Sequence, residues 1–199
     1  MTVAVVAIGQ EAISRAARQA AEIHLAAYSH GHFTSTFGLP KLTEYNAGLI
    51  SHSDICLGAL EGEKMLGFLI SGENVSRGVA EFVRNNRWFL IRKLLSHPQF
   101  LFEKISFSVR ARLVRTKPSK ATYRLLSIAI DPRAQSSGIG GMLLAVLEEH
   151  LRARGVKRYG LSVLSKNPRA IAFYRRNGFE LEKIELGSAY FSKDLQPAT

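Results

Sequence analysis

Residues 131–144 read DPRAQSSGIGGMLL. The residues before them, 123–130, are rich in leucine and isoleucine and predict a central strand buried on both faces of a sheet. Beyond the glycines, apolar residues recur at helical spacing and predict a helix over 138–154, which Gly155 ends. The stretch is therefore predicted to form a glycine-rich turn between a buried strand and a helix.

Three glycines in this turn, Gly138, Gly140 and Gly141, favour the binding of a phosphate group. Glycine has no Cβ, so the backbone can come close to a ligand. The first N–H groups of a helix have no partner inside the helix, and the helix dipole favours negative charge there. We predict that residues 135–141 cradle a pyrophosphate. An ordinary strand–helix turn is the alternative interpretation.

Two common phosphate-binding motifs do not fit this loop. A P-loop places Gly-Lys-Ser/Thr after its glycines, whereas residues 131–144 contain no lysine. A dinucleotide-binding fingerprint opens the first βαβ unit and has an acidic residue about 20 residues later. Here the loop comes late in the chain, and residues 155–161 contain no acidic residue.

Strand and helix patterns alternate along the rest of the chain. Runs of apolar and β-branched residues predict strands over 3–8, 55–60, 65–71, 159–164, 181–186 and 189–195. Helical spacing and capping residues predict helices over 10–29, 40–50 and 167–178, the last opened by Asn167 and Pro168. This alternation predicts an α/β fold with a mixed sheet.

Two segments resemble the signature of the GNAT superfamily of acyl-CoA-dependent N-acetyltransferases. In the first, Gln135, Gly138 and Gly140 match the family's Gln/Arg-x-x-Gly-x-Gly/Ala pattern. The second, over 167–179, reads NPRAIAFYRRNGF and resembles the family's Asn-x-x-Ala-x-x-Phe-Tyr…Gly-Phe segment. The resemblance is strong over 123–195, and the N-terminal part matches only in the order of its elements.

The resemblance implies a GNAT-like mixed central β-sheet flanked by helices, acetyl-CoA as co-substrate, and a set of site residues. The pyrophosphate would be bound by the loop residues Gln135, Ser136, Ser137, Gly138, Ile139, Gly140 and Gly141. The pantetheine arm would pass between two splayed strands, beside Ile128, Ala129, Ile130 and Asn167. Phe173 would also bind the coenzyme. Tyr174 would lie near the thioester sulfur. A plain helix cap at Asn167 and core packing of Tyr174 are the alternative interpretations.

The implied reaction is direct attack of an amine on the thioester carbonyl, with both substrates bound together. A base must take the amine proton, a backbone N–H near Ile128 would stabilise the oxyanion, and Tyr174 would protonate the departing thiolate. No carboxylate occurs in 125–130. The base is therefore left open among Glu44, His30, His32 and Glu73, while Asp131 is expected to shape the turn.

Composition fits one ordinary globular domain over 1–199, with 123–195 as its acetyl-CoA-binding core. The chain has 199 residues, of which 46% are hydrophobic. A single cysteine, Cys56, excludes a disulfide framework and a cysteine-rich zinc site, and we predict no metal site. The apolar N-terminus lacks the features of a signal peptide, and no apolar run reaches membrane-spanning length. We expect a cytoplasmic protein.

Residues 75–120 differ from the rest and are interpreted as a basic helical insertion after the third strand. Residues 77–120 contain 11 Lys+Arg against Glu81 and Glu103, and so carry +9 of the net charge of +11. Three functions are open: a lid over the acceptor site, a surface for anionic membrane at the inner face, or a nucleic-acid site. A solvated helical pair with one packed face is the alternative. The absence of a nucleic-acid motif argues against the third function.

The sequence thus predicts an N-acetyltransferase that moves an acetyl group from acetyl-CoA to a primary amine. We favour a small-molecule acceptor such as an amino sugar or a nucleotide-linked amine. A protein N-terminus or lysine is the second choice, and homodimerisation is left open. A non-catalytic acyl-CoA-binding module that docks through its basic insertion is the alternative from another class.

Overall fold

A mixed seven-stranded β-sheet forms the centre of the computed structural model, which describes residues 2–28, 32–74, 76–100, 119 and 121–196. The strands are β1 (Ala4–Ala7), β2 (Ile55–Glu61), β3 (Lys64–Gly72), β4 (Tyr123–Ile130), β5 (Arg158–Leu164), β6 (Glu180–Glu185) and β7 (Ser188–Asp194). Their order across the sheet is β1-β2-β3-β4-β5-β7-β6. Neighbours are antiparallel except for β4 and β5, which confirms the predicted mixed sheet.

Helices cover both faces of this sheet, as predicted. They are α1 (Ile13–Ala27), α2 (Leu39–Ser51), α3 (Ser76–Asn85), α4 (Arg87–Ser96), α5 (Ile139–Ala153) and α6 (Pro168–Arg176). Helix α1 lies on one face, where its alanines, which lack bulk, pack closely on Phe68 and Ile70 of β3. Helix α5 lies on the other face, where Leu143 and Leu147 pack with Leu57 and Leu69. The two apolar clusters sandwich the sheet and fix β4 at its centre.

Strands β4 and β5 part soon after they begin. They pair only at Tyr123–Tyr159 and Arg124–Gly160, although β4 continues to Ile130 and β5 to Leu164. On its other edge, β4 stays paired with β3 as far as Ile130. An opening therefore lies between β4 and β5 on the side that leads into residues 131–141.

This opening corrects the prediction that β4 is buried on both faces. Tyr123, Leu125 and Ala129 are buried, but the side chain of Leu126 is 39% exposed, and Ile128 and Ile130 are only half-buried. Local pattern gave no sign of this, because a leucine-rich strand has the same sequence whether or not its neighbour stays paired along its whole length.

The basic segment begins as two helices. Helices α3 and α4 follow β3, and residues 98–100 start another helical turn at Pro98. That residues 75–120 form an insertion stays a prediction. Residues 75, 101–118 and 120 lie outside the described residues, so the helical structure expected there stays a prediction. Within the described ranges, no helix has both the length and the apolar character needed to cross a membrane.

Candidate active site

A tight turn held by Asp131 joins β4 to α5. The Asp131 carboxylate accepts hydrogen bonds from the backbone N–H of Arg133 at 3.0 Å and from its guanidinium at 3.0 and 2.7 Å. These contacts with Arg133 lower the pKa of Asp131 below its ordinary value, although partial burial opposes them. Asp131 therefore shapes the turn, as predicted, and is a poor proton acceptor.

Gly138 is favoured by its backbone conformation, whereas Gly140 is favoured by the close packing around it. Gly138 precedes α5 with a φ of 82°, in the left-handed region that favours glycine, and a Cβ there would meet no atom within 4 Å. A Cβ on Gly140 would lie 3.0 Å from Cζ of Phe173. The missing Cβ of Gly140 thus allows α5 and α6 to pack closely, and a further role toward a ligand stays a prediction.

The N-terminus of α5 has backbone donors without helix partners. Among the described residues no side chain caps this end, and its first turn contains no acidic residue. The first hydrogen bond within the helix runs from the N–H of Met142 to the carbonyl of Gly138, at 3.1 Å. The N–H groups before it point out of the helix, where the helix dipole favours an anion. This donor set fits a pyrophosphate.

The other predicted loop residues use their side chains mainly for contacts within the protein. Ile139 buries its side chain in the core, so only its N–H could reach a ligand. The hydroxyl of Ser137 donates to the carbonyl of Ala134 at 2.6 Å, which supports the turn. Ser136 has a φ of 69°, and Gly141 has room around it, its nearest would-be Cβ neighbour being 3.8 Å away. The side-chain oxygen of Gln135 accepts from Arg169 at 3.3 Å, which links the loop to α6.

Helix α6 brings the second sequence motif against this loop. The side-chain oxygen of Asn167 accepts a hydrogen bond from the N–H of Ala170 at 3.0 Å and so caps the helix. The ring of Phe173 packs over Gly140. The Tyr174 ring is buried, with Phe173, Phe179 and Phe191 around it at 5.3–6.3 Å between centroids. Helix capping by Asn167 and core packing of Tyr174 are thus both present, and their predicted ligand contacts stay predictions.

A cluster of aromatic side chains contacts β4 from the α1 side. The Tyr28 hydroxyl donates a hydrogen bond to the carbonyl of Ile128 at 3.1 Å. The Tyr28 ring lies between two imidazoles, with centroid distances of 4.7 Å to His24 and 4.8 Å to His32. The ring nitrogen Nε2 of His24 lies 2.9 Å from the hydroxyl of Thr34. No described group hydrogen-bonds the ring nitrogens of His32.

Burial dominates the electrostatics of this cluster. It lowers the pKa of His24 to about 4, with a further contribution from His32, and it lowers the pKa of His32 below its ordinary value. Both imidazoles are therefore mainly neutral at pH 7. Burial also raises the pKa of Tyr174, and the nearby Tyr28 raises it further. The Tyr174 hydroxyl keeps its proton at neutral pH, as a proton donor must.

The structure separates the candidate bases. Burial would raise the pKa of Glu44, but hydrogen bonds from Lys41 and Asn86 at 2.6 and 2.7 Å outweigh it and lower that pKa. Glu73 follows Gly72, which pairs with Arg124, about 13 Å along the sheet from the level of Ile128 at 3.3 Å per residue. His30 lies outside the described residues. His32 is thus the one described candidate placed beside the cluster.

The sequence did not identify Tyr28 and His24 as neighbours of the candidate site. Their spacing was a usable signal, because His24, Tyr28 and His32 follow one another at intervals of four residues. Such spacing places the first two on one face of a helix. Their proximity to Ile128, however, depends on how α1 packs on the sheet, which the local sequence does not specify.

Solved structures with the same fold extend over almost the whole chain. The PaiA N-acetyltransferase from Thermoplasma acidophilum, determined in complex with coenzyme A, has a TM-score of 0.60 and 14% identity, covering 98% of this chain and 99% of that one. The ribosomal-protein-S18-alanine N-acetyltransferase from Escherichia coli has a TM-score of 0.55 and 17% identity, covering 100% and 97%. At these identities the likeness shows the fold.

Curated relatives match over a shorter segment. A mycothiol acetyltransferase of Beutenbergia cavernae is 42% identical over 62 residues, which are 31% of this chain and 21% of that protein. The [ribosomal protein bS18]-alanine N-acetyltransferase of Salmonella typhimurium is 46% identical over 55 residues, which are 28% and 37%. The matched segments therefore span well under half the length of these relatives.

The family comparison spans most of the chain. The model described as the acetyltransferase (GNAT) family matches residues 17–179. This range includes α1 with Tyr28, the opening between β4 and β5, the loop before α5, and α6 with Tyr174. The fold, both motifs and the family match agree: the chain belongs to the GNAT family of acetyltransferases.

Proposed function

We propose that this protein is an acetyl-CoA-dependent N-acetyltransferase of a primary amine, formed by a single domain over residues 1–199. The observation that carries the proposal is the uncapped N-terminus of α5 just beyond the point where β4 has left β5. Amide donors suited to a diphosphate and an open strand edge suited to an extended amide chain then adjoin each other. The family match supports the same activity.

The coenzyme would be held mainly by main-chain groups. The N–H groups of residues 135–141 would bind the pyrophosphate, and the open edge at 128–130 would pair with the pantetheine arm. Phe173 and Asn167 would line the arm from α6. Asn167 already uses its side-chain oxygen as a cap. Its NH₂ group would be the part that meets the coenzyme.

Transfer of the acetyl group requires two proton movements. A nitrogen–carbon bond forms and a carbon–sulfur bond breaks, while the amine loses one proton and the thiolate gains one. His32, neutral near pH 7 and without a described partner on its ring nitrogens, would accept the amine proton. Tyr174, kept protonated by burial, would donate to the thiolate. Tyr28 would hold His32 by ring contact at 4.8 Å.

For the acceptor we propose a small-molecule amine, such as an amino sugar or a nucleotide-linked amine. The curated relatives include one named for mycothiol and one named for an alanine of a ribosomal protein. The aromatic ring cluster around His32 supports a compact acceptor, because buried imidazoles and phenols offer few exposed groups for an extended peptide. A protein N-terminus or lysine is the second choice.

The test is an amine panel monitored by release of free thiol from acetyl-CoA. We expect release with at least one small amine and slower release with peptides that carry a free N-terminus or a lysine. Tyr174→Phe should slow release about a hundredfold with unchanged coenzyme affinity. The matched control is Tyr190→Phe, which also removes one phenolic hydroxyl but from β7.

Other results would reject the proposal. Failure to take up coenzyme A in calorimetry would remove the coenzyme site altogether. Uptake without thiol release on any amine would indicate an acyl-CoA-binding module instead of an enzyme. Equal rates for the unchanged protein and for Tyr174→Phe would remove Tyr174 as the proton donor.

A further inference from the structure

Helix α4 presents an apolar stripe to solvent. Trp88, Ile91 and Leu95 are 69%, 46% and 68% exposed. They are spaced by three and four residues, which places them on one face of the helix. Scattered exposed apolar residues are ordinary, but three large ones on one helical face form a surface that water solvates poorly.

The opposite face of α4 is already packed, so the orientation of the stripe is fixed. The ring of Phe89 lies 5.5 Å from that of Phe37, and Leu90 packs on the same cluster, which includes Leu42 and Phe82. The helix therefore cannot bury its stripe by rotating without losing these contacts. The stripe faces outward because the inward side is occupied.

Positive charge borders this stripe. Arg87 and Arg92 are exposed on α4, and the guanidinium of Arg87 lies 5.6 Å from the centre of the Trp88 ring. Between residues 76 and 96 the only acidic residue in the sequence is Glu81. Its carboxylate lies 3.3 Å from Nε2 of His52, at the end of α2. The outward face of α4 is thus apolar at its centre and cationic at its rim.

We propose that this Trp88 face, formed by Trp88, Ile91, Leu95, Arg87 and Arg92, docks the protein on the surface of a bilayer that contains anionic lipids. The apolar stripe would enter the boundary between headgroups and acyl chains, with the guanidinium groups at the lipid phosphates. The aliphatic side chains favour a lipid surface over a nucleic acid as the partner. They gain from contact with hydrocarbon, whereas nucleic acids are bound through basic and stacking aromatic groups.

Docking would place α4 between the lipid surface and the acceptor side of the molecule. Helix α4 packs through Phe89 on Phe37. The ring centroid of Phe37 lies 5.3 Å from that of Phe33, the residue that follows His32. The segment that carries the proposed base is therefore attached to the docking helix. The membrane proposal itself does not depend on the proposed function, because its test measures binding alone.

Trp88 is the single tryptophan of the chain and reports directly on this face. The experiment mixes the protein with vesicles of phosphatidylcholine plus 30% phosphatidylserine, and separately with pure phosphatidylcholine. With the anionic vesicles we expect a blue shift of tryptophan emission, quenching by lipids brominated in the acyl chain, and co-sedimentation. With neutral vesicles we expect neither the shift nor co-sedimentation.

Variants separate the apolar from the electrostatic contribution. Ile91→Ser with Leu95→Ser should lower the vesicle partition coefficient about tenfold or more, because burial of aliphatic side chains is lost. Arg87→Gln and Arg92→Gln should each lower it about fivefold on anionic vesicles. The matched controls are Ile184→Ser on β6, where Ile184 is 63% exposed, and Arg15→Gln on α1. These controls should bind as the unchanged protein does.

Three results would overturn the proposal. One is the absence of co-sedimentation with anionic vesicles. A second is binding that survives the Ile91→Ser and Leu95→Ser changes, or that falls equally in the Ile184→Ser control. The third is tight binding to RNA or to an acidic polypeptide, with Trp88 emission unshifted by vesicles, which would assign the face to another class of partner.

Discussion

The Tyr28 hydroxyl reaches the main-chain carbonyl of Ile128 at 3.1 Å, across 100 positions of sequence. Through this bond α1 is tied to the strand that leaves its neighbour to form the proposed coenzyme site. The same ring contacts His32, the proposed base. One phenol thus connects the two substrate sides of the proposed active site.

Tyr28→Phe should therefore affect activity more than stability. Loss of one buried hydrogen bond lowers the free energy of unfolding by about 1 kcal/mol, measurable by urea denaturation. We expect kcat/KM to fall about tenfold or more, because the hydroxyl anchors the ring, and with it His32, to the carbonyl of Ile128. Tyr45→Phe is the control, since no described group hydrogen-bonds the Tyr45 hydroxyl. Equal activities of the two variants would contradict this role.

The pH dependence of the reaction tests His32. The base must be neutral, and burial lowers the pKa of His32 below 6.5. The acidic limb that His32 contributes to kcat/KM therefore lies below pH 6.5, and activity rises as pH rises through it. His32→Gln should abolish this limb and lower the rate about a hundredfold, while any limb due to the amine substrate persists. An unchanged acidic limb in the variant would reject His32 as the base.

The stability of the fold should depend on the protonation of His24. Its pKa is lowered from 6.5 to about 4 in the folded chain, mainly by burial. The unfolded chain therefore binds the proton more tightly, so this contribution is complete above pH 6.5 and is lost as pH falls toward 4. The loss is roughly 3 kcal/mol at the acidic end of that window. Denaturation at several pH values should show His24→Gln to be less pH-dependent, and parallel curves would contradict the assignment.

Two glycines at opposite ends of α5 form a matched pair. Gly138 and Gly155 have φ values of 82° and 72°, and neither has an atom within 4 Å of its would-be Cβ. Alanine at either position should cost about 1 kcal/mol of stability from backbone strain. Calorimetry should show weaker coenzyme A binding only for Gly138→Ala. Equal affinity losses in both variants would mean that strain, and not the loop, is responsible.

A buried carboxylate beneath β5 should matter for stability alone. Glu148 accepts from the Tyr159 hydroxyl at 2.7 Å and from the Lys193 ammonium at 2.6 Å. Glu148→Gln leaves Lys193 without its counter-charge and should lower the free energy of unfolding by about 3 kcal/mol. The adjacent Glu149→Gln is the control, because Glu149 is exposed. A similar midpoint for both variants in urea would argue against the network.

Local signals predicted the parts of the fold that local chemistry determines. The glycine-rich turn before α5 and the Asn-Pro start of α6 act within a few residues of sequence, and both are present. The family motifs also singled out the loop and Tyr174, whose ligand contacts stay predictions. The ordering of helices around a mixed sheet followed from the alternation of patterns.

The missing parts depend on contacts between distant segments. The local pattern did not show the parting of β4 from β5, because each segment has the residues of a continuous strand; splayed strands followed only from the family resemblance. Nor could Tyr28 be placed beside Ile128, since that bond depends on how α1 lies on the sheet. Only the packing showed that Glu44 is bound to Lys41 and Asn86, which leaves His32 as the proposed base.

Because β4 pairs with β5 over such a short length, the coenzyme would also contribute to the structure of the sheet. Only two residue pairs join the halves of the sheet directly, so an extended arm lying along residues 128–130 would serve as an additional strand between them. Binding of the coenzyme would then slow the deuterium exchange of main-chain amides on both sides of the gap, including amides far from the thioester. Each binding of the acetyl donor would thus complete the sheet between β4 and β5.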